Sequence, residues 1–199
     1  KRQRYGGAPE LVAFELLNEI IEPEVAEAWN QIALHAIAEI RVFAPESWII
    51  FGGVMYNNVL SVPMLAEVND PKVAYTFHSY EPLIFTHQGA YWVDGMPSDF
   101  RIAYPNTIEN YRESSKMLSQ ELAGAIFEGD LPEVGPAFFE ALFQPALKIA
   151  EERDIPLYCG EYGVIDLADN VSKINWASDI CAVFDKLSLI HISEPTRPY

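Results

Sequence analysis

The stretch Leu11-Val-Ala-Phe-Glu-Leu-Leu-Asn-Glu19 is a short apolar run that turns polar in its last two residues. An apolar run interrupted only by Glu15 is typical of a strand buried on both faces of a parallel sheet. A second stretch, Leu157-Tyr-Cys-Gly-Glu-Tyr-Gly-Val164, also leads from an apolar run to one carboxylate, Glu161. The sequence therefore predicts two buried strands that each end at a glutamate.

Helical patterns alternate with the predicted strands along the chain, which indicates parallel strands with crossover helices. This alternation alone does not distinguish a barrel from an open sheet. Strands are predicted at 12–17, 48–51, 73–78 and 157–161. Helices are predicted at 23–43, 64–68, 107–127, 137–153 with a break at Pro145, and 171–187 capped by Asn170 or Ser172. The long segment 79–106 is predicted to be an ordered loop, because its aromatic content is high.

The composition restricts the classes of partner. The formal net charge of −16 argues against nucleic acid and against anionic membrane surfaces, and it fits a neutral substrate. No apolar run approaches the roughly 20 residues that a membrane-spanning helix needs. The cysteines Cys159 and Cys181 show no metal-binding spacing, so they leave the cellular compartment open.

The two strand-end glutamates fit one particular chemistry. In a parallel barrel the carboxyl ends of the strands converge on one face, where active sites lie. Two carboxyl groups about 5 to 5.5 Å apart can cleave a glycosidic bond with retention of configuration. Asn18, next to Glu19, could bond the sugar's 2-hydroxyl, and His78 and Tyr80 alternate at the end of the third predicted strand. Each glutamate taken singly could equally belong to a turn.

Four motifs carry a family resemblance. They are Phe14-Glu-Leu-Leu-Asn-Glu19, Phe77-His-Ser-Tyr-Glu-Pro82, Phe85-Thr-His-Gln-Gly-Ala90 with Trp92, and Tyr158-Cys-Gly-Glu-Tyr-Gly163. Their order and type resemble the cellulase-like members of glycoside hydrolase family 5, from about residue 8 to 187. The resemblance implies a (β/α)8 (TIM) barrel, with Glu19 as acid/base after the fourth strand and Glu161 as nucleophile on the seventh. It also implies that Tyr80 is hydrogen-bonded to the nucleophile.

The resemblance further implies substrate-binding roles and partners. Asn18, His78 and Tyr80 would contact substrate or the carboxylates, and Thr86, His87, Gln88 and Trp92 would line the cleft. His87 could equally be a packing residue of the loop. The implied substrate is a β-linked polysaccharide or oligosaccharide, with no metal or other cofactor and no nucleic-acid or membrane partner. The complete protein is expected to be a secreted or periplasmic monomer.

Some features depart from the family pattern. The family's Arg on an early strand and His on the third have no counterpart, so the sequence is expected to begin just before the fourth strand. The Trp of the eighth strand is also missing. Residues 1–187 are therefore interpreted as a partial α/β barrel domain with about four parallel strands, not closable from this chain alone. Residues 188–199 are interpreted as a non-native tail without a strand, and the isolated chain is expected to be poorly folded and nearly inactive.

These observations lead to one main hypothesis and several alternatives. The main hypothesis is an endo-β-1,4-glucanase that works by double displacement. A mannanase or another β-glucanase of the same family is the nearest alternative. A carbohydrate-binding pseudoenzyme is a second, and an unrelated α/β protein with coincidental motifs is a third.

Overall fold

The computed structural model describes residues 8–119, 122, 124–127 and 131–191 of the 199-residue chain. The chain forms two compact units. One comprises the chain up to His78 together with Pro145–Cys159, and the other comprises Ser79–Gln144 and the chain from Gly160 onward.

Strands and helices alternate through most of the chain. The strands are β1 (Phe14–Glu15), β2 (Ile49–Gly52), β3 (Val73–Ser79), β4 (Asn106–Thr107), β5 (Glu133–Val134), β6 (Leu157–Tyr162) and β7 (Ile190–His191). The α-helices are α1 (Ala26–Phe43), α2 (Leu83–Thr86), α3 (Ile108–Ser115), α4 (Pro136–Glu152) and α5 (Asn170–Lys186). Short 3₁₀ helices cover Pro23–Val25, Val59–Met64 and Gly124–Phe127.

The first unit is built on a parallel sheet. Its order is β1-β2-β3, and the first half of β6 follows β3. Phe14 lies opposite Ile49, and Ile49 lies opposite Val73 in the next strand. The Tyr75 N–H donates to the Pro156 carbonyl at 2.9 Å, just before β6 begins. The predicted strands are confirmed in position, although β1 is shorter than predicted. The prediction that the first strand is buried on both faces is wrong, because Phe14 is only half-buried and Glu15 is exposed.

Helix α1 covers the first unit's core with one face. Its start at the Pro23 turn and its end before Ala44-Pro45 confirm the predicted helix. The Trp29 indole N–H donates to the Gly52 carbonyl at 2.8 Å, which ties the helix to the end of β2. The apolar residues buried along that face recur every three or four positions: Trp29, Ala33, Ile37 and Ile40.

The second unit has an aromatic core. Phe143 and Phe184 stack with ring centroids 5.5 Å apart, and Trp176 makes an edge contact with Phe139. The second half of β6 lies beside β7, and β4 pairs with β5 in a separate antiparallel ribbon. Among the residues that the structure describes, no helix is both long and apolar enough to cross a membrane.

Two helix predictions are wrong in detail. The helix predicted at 64–68 is replaced by the 3₁₀ helix Val59–Met64, because the Asn58 side chain accepts the Leu60 N–H and starts the helix earlier. The predicted break at Pro145 is absent, since α4 runs through it with Phe143 and Ala146 fully buried on either side. Tertiary packing at this proline outweighs the loss of one backbone donor.

The remaining differences concern element ends. Helix α5 is capped by Asp169, whose carboxylate accepts the Ser172 N–H, rather than by Asn170 or Ser172. The helix predicted at 107–127 ends at Ser115, and part of its second half lies outside the described residues. The tail predicted to lack a strand begins with β7, whereas residues 192–199 lie outside the described residues.

Candidate active site

The first unit brings Glu19 and His78 together. Glu19 follows β1, His78 is the penultimate residue of β3, and Glu19 Oε1 lies 2.9 Å from His78 Nδ1. The His78 side chain is buried, while that of Glu19 is 33% exposed. The carboxylate therefore has one oxygen held by a buried imidazole while the side chain keeps access to solvent. Asn18, beside it, is exposed.

The backbone at this position is strained. Glu19 has a backbone φ of 44°, in the left-handed region that residues other than Gly, Asn and Asp rarely adopt. Such strain is found at functional sites, where the surrounding structure maintains it. The neighbouring Ile20 and Ile21 carbonyls accept hydrogen bonds from the N–H groups of Tyr56 and Met55 at 3.0 and 3.2 Å. These bonds fix the segment that carries Glu19.

The turn that donates these bonds is itself left-handed. Met55, Tyr56 and Asn57 have φ of 57°, 56° and 58°, three consecutive residues in a region usually visited singly. The Asn57 carbonyl accepts the His78 N–H at 2.7 Å. The turn Met55–Asn57 therefore holds His78 and the two residues that follow Glu19 through main-chain hydrogen bonds.

Two glycines make room for this turn. The Gly53 N–H donates to Asn57 Oδ1 at 2.8 Å. A Cβ on Gly52 would lie 2.7 Å from Asn57 Oδ1, and a Cβ on Gly53 would lie 2.3 Å from the Ser61 hydroxyl oxygen. The sequence alone did not identify Gly52, Gly53 or Asn57 as residues that support the site. The glycine pair directly after a buried strand was the available signal.

The second unit brings Tyr80 and Glu161 together. Glu161 is the fifth residue of β6, and the Tyr80 hydroxyl donates to its Oε2 at 3.0 Å. Both side chains are half-buried. A hydrogen bond to one carboxylate oxygen fixes the rotation of the group.

The main chain at Tyr80 is anchored by a residue that the sequence reasoning did not single out. Glu81 is buried, and its Oε2 accepts the Tyr80 N–H at 3.0 Å and the Ser79 hydroxyl at 3.3 Å. The Trp176 indole N–H donates to the Glu81 carbonyl at 2.8 Å. A buried carboxylate and a buried indole on α5 thus hold the chain where it leaves β3. The letters Ser-Tyr-Glu-Pro carry no signal for this arrangement.

The residues of the loop after β3 that were predicted to line the cleft differ in their exposure to solvent. Trp92 is 55% exposed, and His87 lies between Tyr80 and Trp92 with ring centroids 5.0 and 6.5 Å away. Gln88 is buried, with its amide bonded to the main chain of Phe85 and Ile102. These bonds give Gln88 a role in shaping the loop, and its substrate-binding role stays a prediction.

The fold defines the class of protein. Parallel strands with helices between them, and carboxylates following their carboxyl ends, are the architecture of half of a (β/α)8 barrel. The model of the cellulase family, glycosyl hydrolase family 5, matches residues 2–188. The chain belongs to glycosyl hydrolase family 5.

Curated relatives agree with this assignment. Endoglucanase C of Acetivibrio thermocellus is 32% identical over 188 residues, which cover 94% of this chain and 54% of the relative. Cellodextrinase A of Ruminococcus flavefaciens is 35% identical over 184 residues, covering 92% of this chain and 47% of the relative. The chain therefore spans about half the length of the curated relatives it matches.

A solved structure shows the same fold. The endoglucanase Cel5A of Thermotoga maritima, in complex with cellobiose, superposes with a TM-score of 0.75 at 24% identity. The match covers 98% of this chain and 56% of that one. The same enzyme has also been solved in complex with mannotriose, at the same TM-score.

Proposed function

We propose that the full-length protein carrying this chain is a retaining glycoside hydrolase that cleaves β-1,4-linked glucan internally. The observation that carries the proposal is the Tyr80 hydroxyl bonded to Glu161 at 3.0 Å, at the end of a barrel strand of a family 5 chain. A half-buried carboxylate with one oxygen held by a donor suits a nucleophile, because its other oxygen has a defined direction of attack.

The proposed reaction has two steps. Glu161 attacks the anomeric carbon while Glu19 protonates the departing glycosidic oxygen, which leaves a covalent glycosyl-enzyme. Glu19, now a carboxylate, then takes a proton from water as the water displaces Glu161. This chemistry requires carboxyl groups about 5 to 5.5 Å apart in the assembled enzyme. No metal or cofactor takes part in the proposed steps.

The other predicted residues would bind the sugar or orient the two carboxylates. Asn18 would bond the sugar's 2-hydroxyl, a contact that strengthens as the anomeric carbon becomes positively charged. His78 would orient Glu19, and Tyr80 would orient Glu161. Trp92 would supply an exposed aromatic surface for a sugar ring, with His87 beside it.

A second candidate substrate is β-mannan. The mannotriose complex of the Thermotoga maritima enzyme favours it, because that relative in fold binds a manno-oligosaccharide as well as cellobiose. Both candidates are polymers found outside cells, so we propose secretion to the periplasm or medium. The protein is proposed to act as a monomer.

The test measures stereochemistry and labelling in the full-length protein. Proton NMR of fresh cello- or manno-oligosaccharide digests should show the β-anomer first. A 2-fluoro-glycoside inactivator should label Glu161, as read by peptide mass spectrometry. Glu15→Gln, which alters an exposed carboxylate on β1, is the matched control and should keep both results. Appearance of the α-anomer first, or of the label on another residue, would contradict the assignment.

A further inference from the structure

Tyr80 is held at three points besides its bond to Glu161. Its N–H donates to Glu81, and its carbonyl accepts the Thr86 hydroxyl proton at 2.5 Å. Its ring lies edge-on against the ring of His87, with centroids 5.0 Å apart and an interplanar angle of 80°. A residue restrained at backbone and ring cannot swing its hydroxyl away from Glu161.

Thr86 connects two of these restraints. Its hydroxyl oxygen also lies 3.0 Å from Nδ1 of His87. A threonine hydroxyl has one proton to donate and two lone pairs that can accept. The Tyr80 carbonyl can only accept, so the hydroxyl proton goes to it. The bond with His87 must then run the other way, with Nδ1–H donating to the Thr86 oxygen.

This assignment fixes the ring of His87. A neutral imidazole carries one proton, so a proton required at Nδ1 leaves Nε2 deprotonated. The ring cannot flip without losing the bond to Thr86. His87 is therefore held in one orientation, and the Tyr80 ring packs against that fixed surface.

We propose that Thr86 and His87 form a positioning pair for Tyr80, with His87 in its Nδ1-protonated form, and that this pair sets how firmly Tyr80 holds Glu161. The proposal rests on the proposed role of Glu161 as nucleophile. Neither residue need touch the sugar for this effect. The pair acts through Tyr80, which distinguishes it from a sugar-binding role for His87.

A double-mutant cycle in the full-length protein tests the pathway of the effect. Thr86→Val keeps the side-chain shape but removes the hydroxyl, and His87→Ala removes the ring. Each should lower kcat about tenfold with Tyr80 present, yet by less than about twofold once Tyr80 is replaced by Phe. Thr86→Ser keeps the hydroxyl and should restore kcat to near that of the unaltered protein. Equal losses in both backgrounds, or no loss in either, would overturn the positioning role.

A second measurement does not depend on enzymatic activity. Long-range ¹H–¹⁵N NMR distinguishes the two imidazole tautomers, and the His87 signals are assigned by their loss in His87→Ala. The spectrum should show the proton on Nδ1, and Thr86→Val should abolish that preference. A proton on Nε2 with Nδ1 bare would refute the pair. A full-length protein inactive on β-glycosides would instead refute the proposed function, while the NMR result would still decide the proton's position.

Discussion

Replacing Tyr80 by phenylalanine removes the hydroxyl that donates to Glu161 at 3.0 Å and leaves the ring in place. A hydrogen bond to a charged group contributes about 1.5 to 3 kcal/mol, and each 1.36 kcal/mol is a factor of ten in rate. That energy, about 10- to 150-fold as a rate factor, is an upper bound on what holding the carboxylate in its attacking orientation contributes. Because the bond also stabilises the carboxylate before attack and weakens as the ester forms, part of this contribution is cancelled, and we expect about a tenfold decrease.

The assay must isolate the attack of Glu161. Rapid mixing of the full-length protein with a dinitrophenyl cellobioside resolves the first step as a burst, because this leaving group needs no proton from Glu19. Tyr91→Phe removes the same hydroxyl from a side chain that is 90% exposed, and it should leave the burst rate unchanged. A burst rate for Tyr80→Phe within about twofold of the unaltered protein would refute a nucleophile-orienting bond.

Three further predictions concern the acid, an ion pair and the support of the site. Glu19→Ala should slow hydrolysis of unactivated cello-oligosaccharides by about 10²-fold or more, but that of dinitrophenyl glycosides much less, as steady-state kinetics would show. Arg41 holds the pKa of Asp70 below its usual value through a hydrogen bond, so the ion pair stabilises above about pH 4 and the gain disappears as pH falls through the lowered pKa. Asp70→Asn should therefore reduce the free energy of unfolding by about 1 kcal/mol at pH 7 and by progressively less as the pH falls below about 4, measured by urea titration. Trp176→Phe removes the indole N–H that donates to the Glu81 carbonyl in the core, together with part of a buried ring, and should cost about 2 to 3 kcal/mol in the same titration.

Each of these has a matched control. Glu15→Gln should leave the rates of hydrolysis of both the unactivated oligosaccharides and the dinitrophenyl glycosides unchanged. Glu46→Gln, which alters an exposed acid shortly after the helix that carries Arg41, should not change the pH dependence of unfolding. Trp92→Phe alters a half-exposed indole and should barely shift the urea midpoint. A pH-independent loss in Asp70→Asn would show that packing, not charge, explains it.

Sequence patterns sufficed where one physical signal dominated. The apolar runs before Glu19 and Glu161 predicted strands, because a short, nearly continuous apolar run favours a strand of a parallel sheet. The helix from Pro23 to Phe43 was predictable from its single apolar face and from the proline near each end. The hydrogen bond between Tyr80 and Glu161 was predicted from the family resemblance alone, since sequence spacing does not indicate that residues 81 positions apart are in contact.

Where several local forces competed, the sequence was insufficient. Asp169, rather than Asn170, caps the helix because its backbone is extended and its carboxylate accepts the Ser172 N–H. The hydrogen bonds of the Gln88 amide to the main chain of the loop were likewise not visible in the sequence. Such choices depend on which backbone groups lie nearby, and a linear pattern does not contain that information.

The left-handed turn Met55–Asn57 places strain in the main chain that supports the segment after Glu19. Left-handed backbone costs an L-residue about 1 to 2 kcal/mol. The side chain of Tyr56 is 36% exposed, and burial of the remainder offsets about as much as the strain costs. The Tyr56 N–H also anchors the carbonyl of Ile20, the residue after Glu19. Changes in this turn should therefore alter the free energy of unfolding little but displace the proposed acid/base carboxylate, so damage here would be detected in activity before it is detected in stability.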